Sequence, residues 1–306
     1  MNRRHVLQLT AALGTAGLLP RSASAQSVDN PKPLHHAHNA PPNPLRPPAD
    51  GRIPVAFLLS DDAVVIDFAG PWEVFENVHI QGPLAHPFEL YTVAETTAPI
   101  RAGGGMTIVP NYSVASAPPP KIIVIPAQGE PSEAVIAWVR NATKVSDVTM
   151  SVCTGAFLLA KTGLLSGKEV ATHHGAYAEL AMTYPDVIVR RGARFVESGN
   201  IASSGGLSSG IDLALRVVER YFGRAVALAT ADNLEYQGLG WMNADSNQAY
   251  AKRRVSTAQH PLCAVCEMDV DSAASPKSVY RNRTYYFCMD AHKRLFDAAP
   301  ARFANA

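Results

Sequence analysis

Ser151-Val152-Cys153-Thr154-Gly155-Ala156-Phe157 is the stretch on which the fold turns. It closes an apolar run, Val148–Val152, and opens a segment with helical spacing, 154–161, that Gly163 ends. A cysteine at such a strand-to-helix elbow projects from the carboxyl edge of a sheet, where open α/β folds bind ligands. A helix N-terminus offers unpaired N–H groups and about half a positive charge. The Cys153 thiol is therefore expected to have a lowered pKa and to act as a nucleophile. Gly155 and Ala156 keep the turn uncluttered. On these residues alone, a small buried cysteine that only packs is the competing possibility.

Outward from the elbow the pattern alternates. Residues 53–59 form a continuous apolar run, as a strand buried on both faces requires. Phe68, Trp72 and Phe75 recur at helical spacing, continued by His79 or Ile80. Phe88–Ala94 and 121–125 read as strands, and 131–140 as a helix with proline in its first turn. Strands near 195–196 and 201–203 precede helices over Ser209–Phe222 and 225–236. Strands alternating with helices of about ten residues predict a doubly wound, mostly parallel α/β layer sandwich of flavodoxin-like type.

Composition bounds the rest. The chain has 306 residues, 47% hydrophobic and 17% charged, which excludes general disorder and allows one full core plus a smaller unit. Lys+Arg number 27 against 26 Asp+Glu, leaving no strong field to recruit nucleic acid or anionic lipid. Four cysteines are too few for a disulfide-built scaffold of this length. No window reaches the ~18 apolar residues of a membrane span.

Residues 1–25 stand apart. Arg3 and Arg4 precede an apolar stretch that ends at Ala23-Ser24-Ala25, a small-residue cleavage site. Asn2-Arg3-Arg4-His5-Val6-Leu7 resembles a twin-arginine export signal, which implies a periplasmic protein that crosses the membrane folded. Residues 26–50 hold seven prolines and read as an extended linker; His35, His36 and His38 within it could bind a metal only weakly. The expected division is a signal at 1–25, this linker, an α/β domain over 51–245, a second linker over 246–260, and a small domain over 261–306.

Residues ~50–240 resemble the ThiJ/PfpI superfamily of class I glutamine-amidotransferase-like proteins. The resemblance is carried by Ile66-Asp67-Phe68-Ala69-Gly70-Pro71-Trp72-Glu73-Val74-Phe75, the Cys153 elbow, Ala171-Thr172-His173, and Ser204-Gly205-Gly206-Leu207-Ser208-Ser209-Gly210-Ile211-Asp212. These motifs are similar to the branch of isocyanide hydratases and the amidotransferase-like halves of AraC-type regulators, in which a Cys-Thr pair replaces Cys-His. The resemblance implies Cys153 as nucleophile, Asp67 as the acid beside it, Thr154 following, and Asp212 as a second acid. It implies a homodimer, a small-molecule substrate and no cofactor in this domain. Backbone N–H groups of Thr154 and Gly155, with others from Ala127-Gln128-Gly129, would stabilise developing charge. This chain has Pro126-Ala127-Gln128-Gly129 where relatives carry Pro-Gly-Gly.

By residue type alone, Asp67 and Asp212 could instead cap or charge the first turns of their helices. Glu73 falls on another helix face and reads as structural. His173 and His174 could pair on a metal, although one matches a family histidine with no catalytic role. No regulator-type DNA-reading motif follows, so transcription control is not expected.

After Tyr250 the chain changes character. Cys263-Ala264-Val265-Cys266 is followed by Cys288 and, after three intervening residues, His292. A C-x₂-C knuckle with a distant C-x₃-H supplies four ligands suited to a closed tetrahedral site for one transition metal ion, zinc, copper or iron. Tyr280, Tyr285, Tyr286, Phe287, Phe296 and Phe303 supply its core, and a unit this small needs such a staple. The stretch resembles a YHS domain, with Cys-x-x-Cys-x-Met and Tyr-Tyr-Phe-Cys both legible, a type associated with heavy-metal handling. A disulfide with one spare thiol is the alternative in an oxidising compartment. Two functions are thus expected to compete: an exported isocyanide-hydratase-type enzyme with a metal-binding appendage, and a catalytically silent metal-handling or redox-stress protein.

Overall fold

The computed structural model describes residues 43–304 except Pro83. The export signal, most of the first linker and His35, His36 and His38 lie outside the described residues.

A seven-stranded sheet runs in the spatial order Phe195–Ser198, Ile201–Ser204, Val148–Val152, Ile122–Ile125, Ile53–Leu58, Phe88–Ala94, Tyr112–Ser113. Every neighbouring pair is parallel except the first, an antiparallel hairpin at the edge. The continuous apolar runs are explained by burial on both faces. Val55, Phe57, Ile122 and Val124 enter one core while Ala56, Leu58, Ile123 and Ile125 enter the other, as strand alternation demands. Helices α1 (Val65–Glu76), α5 (Ser209–Phe222) and α6 (Arg224–Asn233) cover the first face. Helices α2 (Glu133–Thr143), α3 (Gly155–Lys161) and α4 (Tyr177–Thr183) cover the second. The doubly wound layer sandwich is the one the alternation predicts.

Two helix boundaries differ from expectation by more than a residue, and two short elements are unpredicted. Helix α2 begins at Glu133 because the Ser132 side chain accepts from the Val135 N–H, so Pro131 stays outside. Helix α6 stops at Asn233 rather than 236: Glu235 adopts φ 51°, and the Tyr236 hydroxyl donates to Asp212 at 2.9 Å. Helix α4 and the edge strand Tyr112–Ser113 are short elements with little periodicity to announce them.

The C-terminal segment builds its own core. Val265, Phe287, Phe296 and Phe303 are buried together with Cys263 and Cys266. A hairpin pairs Lys277–Tyr280 with Arg283–Tyr286 through Arg281 and Asn282, both at positive φ, as a two-residue turn of primed type requires. Helix α7 (Asp290–Ala298) follows and carries His292 on its buried face.

Candidate active site and metal centre

Cys153 links the strand Val148–Val152 to α3 with φ 58°, in the left-handed region. A non-glycine residue held there costs about 1–3 kcal/mol, which surrounding contacts must offset. The Cys153 N–H donates to the Gly205 carbonyl at 3.0 Å, and the Thr172 hydroxyl donates to the Cys153 carbonyl at 2.9 Å. Gly155 is required at the next position but one: a Cβ would fall 2.3 Å from the Ile125 carbonyl oxygen and 2.7 Å from that of Pro126. This close approach seats the start of α3 over the carboxyl ends of the central strands.

Asp67 reaches the thiol from α1. It does not cap that helix: Val64 holds the cap position, and Asp67 sits in the first turn with its carboxyl fully buried. Its Oδ2 accepts from the Ala127 N–H at 3.1 Å, while Oδ1 is buried with no hydrogen-bond partner among the described residues. Burial pushes the Asp67 carboxyl up to about 6, against the pull of the Ala127 amide and the Cys153 thiol.

The lowered pKa expected for Cys153 is corrected. Burial and the negative charge of Asp67 push the thiol up to about 11, outweighing the Thr154 and Leu207 amides and the Thr154 hydroxyl, which all favour the thiolate. The helix terminus is present as expected, but the sulfur is nearly dehydrated, with the residue 8% exposed. At neutral pH the pair therefore rests as carboxylate and thiol. Chemically, a base faces the proton it can remove at the moment of attack.

Two further expectations change. The Gly129 N–H donates to the Asp61 carbonyl at 3.0 Å and the Ala127 N–H to Asp67, so neither is free to hold developing charge. Thr154 caps α3 with its amide turned to the sulfur, and the companion donor is Leu207, itself at φ 47°. Asp212 is not brought to the thiol by any of its contacts. Its oxygens take the Arg194 guanidinium, the Tyr236 hydroxyl at 2.9 Å and the Trp241 N–H at 2.8 Å, the last two from the segment after α6. Asp212 is wholly buried, and each of these partners lies away from the Cys153 thiol's own contacts.

Leu207 and Thr172 were inside motifs that the sequence singled out, yet their part in the site was missed. Both act through geometry that spacing does not express, a backbone amide and a hydroxyl aimed at a backbone carbonyl. His173 packs on Gly206, where a Cβ would lie 2.4 Å from its ring, and its Nδ1 accepts from the Gly175 N–H. Burial and His174 push it toward its neutral form.

The second site is the C-terminal cluster. One ligand atom from each of Cys263, Cys266, Cys288 and His292 lies within 4.8 Å of all the others. His292 Nδ1 is 3.4 Å from the Cys263 sulfur and 3.2 Å from that of Cys288; the Cys266 and Cys288 sulfurs are 3.5 Å apart. Tetrahedral zinc, with bonds of about 2.0–2.3 Å, needs ligand atoms about 3.3–3.8 Å apart, so the donor set fits such an ion. Hydrogen bonds from Cys266 and His292 overcome burial and hold the Cys263 thiol below its ordinary value.

A model of the DJ-1/PfpI family matches residues 54–220. Isonitrile hydratase of Pseudomonas putida is 27% identical over 187 residues, spanning 60% of this chain and 78% of that protein. The transcriptional regulator GbdR of Pseudomonas aeruginosa is 22% identical over 206 residues, 66% of this chain and 54% of the regulator. The chain thus spans about half the length of that regulator. A crystal structure of a ThiJ/PfpI family protein from Pseudomonas syringae shares the fold, with TM-score 0.55 and 21% identity over 71% of this chain and 90% of that one.

Proposed function

Since the chain belongs to the DJ-1/PfpI family, we propose that it is a cysteine-nucleophile hydratase of isocyanides. In this proposal it carries an appended YHS-like metal-binding domain and is exported to the periplasm by the twin-arginine route. The observation that carries the reading is the buried Asp67 carboxyl beside Cys153, with one oxygen left without a partner among the described residues.

The chemistry follows from that pair. The Asp67 carboxylate takes the thiol proton as sulfur bonds the terminal isocyanide carbon. The proton then passes to that carbon, giving a thioimidate. Water's oxygen next bonds to the same carbon, and one water proton moves by way of Asp67 to the nitrogen. The carbon–sulfur bond breaks, the hydroxyl proton returns to sulfur, and an N-formamide leaves. The Thr154 and Leu207 amides stabilise negative charge on sulfur in both halves. Asp67 thus acts as base and then acid in each half of the reaction, which suits a carboxyl raised to about 6. The family resemblance adds a homodimer formed through the α/β domain.

The test is hydration of cyclohexyl isocyanide by the purified chain, followed as formamide released. Turnover that Cys153→Ala abolishes supports the proposal; turnover unchanged by that substitution overturns it. A second reading is favoured by the Cys263, Cys266, Cys288 and His292 cluster: a catalytically silent metal-handling or redox-stress protein. One metal ion retained per chain, with no turnover on isocyanides, aldehydes or peptides, would select it. Retention of the chain in the cytoplasmic fraction after Arg3 and Arg4 are both changed to Lys would support export.

A further inference from the structure

Helix α4, unannounced by the sequence pattern, presents two side chains to the C-terminal cluster. Met182 packs against the core formed by Cys263, Val265, Cys266, Phe287, Phe296 and Phe303. Three residues earlier, on the same helix face, Glu179 places Oε2 2.8 Å from His292 Nε2. His292 is 4% exposed and Glu179 29%, so the contact is largely shielded from water. Both nitrogens of the imidazole are thereby assigned. Nδ1 faces the Cys263 and Cys288 sulfurs, and Nε2 faces a carboxylate contributed by the α/β domain.

A histidine that binds a cation through one nitrogen must carry its proton on the other. A carboxylate accepting that proton fixes the tautomer and ring orientation and raises the basicity of the ligating nitrogen. Arg191 adds a second tie to the C-terminal segment: its guanidinium pairs with Glu267 at 3.0 Å and donates to the Ala251 carbonyl at 3.0 Å. Gly175, just before α4, lies so close to Met268 that a Cβ would be 3.3 Å from its Cγ. The segment 175–191 is therefore the surface on which the metal knuckle is seated.

We propose that Glu179 is the outer carboxylate of the Cys263/Cys266/Cys288/His292 centre, a positioning residue supplied across the domain boundary. The centre is complete only while the knuckle is seated on α4. This rests on the metal-binding reading above and adds to it: affinity for the ion depends on a residue outside the 261–306 segment.

The experiment uses the full chain, titrated with Zn²⁺ against a chromophoric chelator and with Co²⁺ for the visible bands of the ligand field. Glu179→Ala is expected to weaken Zn²⁺ about 10–100-fold at unchanged stoichiometry and to shift the Co²⁺ bands. Glu179→Gln, whose amide oxygen still accepts from Nε2–H, is expected to recover most of the affinity, a rescue that simple loss of packing would not predict. If Glu179→Ala fails to fold, Glu179→Met keeps the side-chain volume, with the same expected loss. Cys263→Ser separates the two layers of the argument. If Cys263→Ser abolishes tight binding while the Glu179 variants bind as wild type with unshifted bands, the Glu179 assignment is overturned and the metal centre stands. If the wild-type chain binds no ion, or Cys263→Ser changes nothing, both are overturned.

Discussion

Cys153 and Cys263 are both buried thiols, and their surroundings drive them in opposite directions. Burial and the Asp67 charge push Cys153 up to about 11, while hydrogen bonds from Cys266 and His292 hold Cys263 below its ordinary value. The first sulfur faces one acid and few donors, on a backbone held at φ 58°. The second sits within 4.8 Å of three other soft or nitrogen ligands. A lone thiol beside a carboxylate is built to give up its proton only as a bond forms. A thiol among thiols and an imidazole is built to share protons until a cation displaces them. Burial raises both thiols, and the neighbours decide whether that rise stands or is reversed.

The contrast breaks most decisively at Cys153. Cys153→Ala is expected to lower isocyanide hydration about 10⁶-fold, the scale seen when a covalent nucleophile is removed, with bound metal per chain unchanged. Loss of metal from that variant would show that the two sites are not separate devices.

Arg194 tests whether Asp212 is an anchor. Removing its partner leaves a charge buried without compensation, so Arg194→Ala is expected to cost about 3–5 kcal/mol in chemical denaturation. A loss under about 1 kcal/mol would return Asp212 to consideration as a catalytic acid.

Asp67→Asn sharpens the comparison by pH. Activity is expected to fall about 100-fold, and the acid limb near pH 6 to disappear from the profile, because the base that titrates there is gone. The sign for stability is opposite to that of a salt-bridged carboxylate. The folded-state value lies above the unfolded one, so the proton-bound form stabilises the fold below about pH 4, and that benefit is lost as pH rises through about 6. Relative to Asp67→Asn, wild type should lose on the order of 2–3 kcal/mol between those limits, read from unfolding curves at each pH.

The smallest effect belongs to Thr172→Val, which deletes the hydroxyl holding the Cys153 carbonyl and is expected to cost about 1 kcal/mol. Its use is in the alkylation rate of Cys153: loosening the elbow should speed iodoacetamide capture at pH 8, whereas an unchanged rate would mean that the φ 58° turn is held by other contacts.

Much of the α/β domain was legible because its strands are buried on both faces and its long helix α5 is buried along almost its whole length. Phe88–Ala94, Val148–Val152 and Ser209–Phe222 have the bounds that their apolar runs suggest. The four-residue cluster that could hold an ion was equally plain, since Cys-x-x-Cys and Cys-x-x-x-His each bring two donor side chains together within a turn of chain. Helix α4 was missed: seven residues give too few turns for periodicity to show. The free-amide role expected of Gly129 failed for a different reason. A glycine in a loop marks a permissive backbone, but which carbonyl its N–H meets is fixed by Asp61, far away in sequence.

The amino-acid sequence by itself determined which residue types carry the chemistry, the alternation of strands and helices, and the local placement of Cys153 at an elbow, because all three follow from periodicity and short-range sterics. Tertiary structure alone decided the thiol's proton affinity, the commitment of Asp212 to Arg194, and the meeting of Glu179 with His292. Those depend on dehydration and on charges brought together across the chain, and neither quantity exists until the layers have packed.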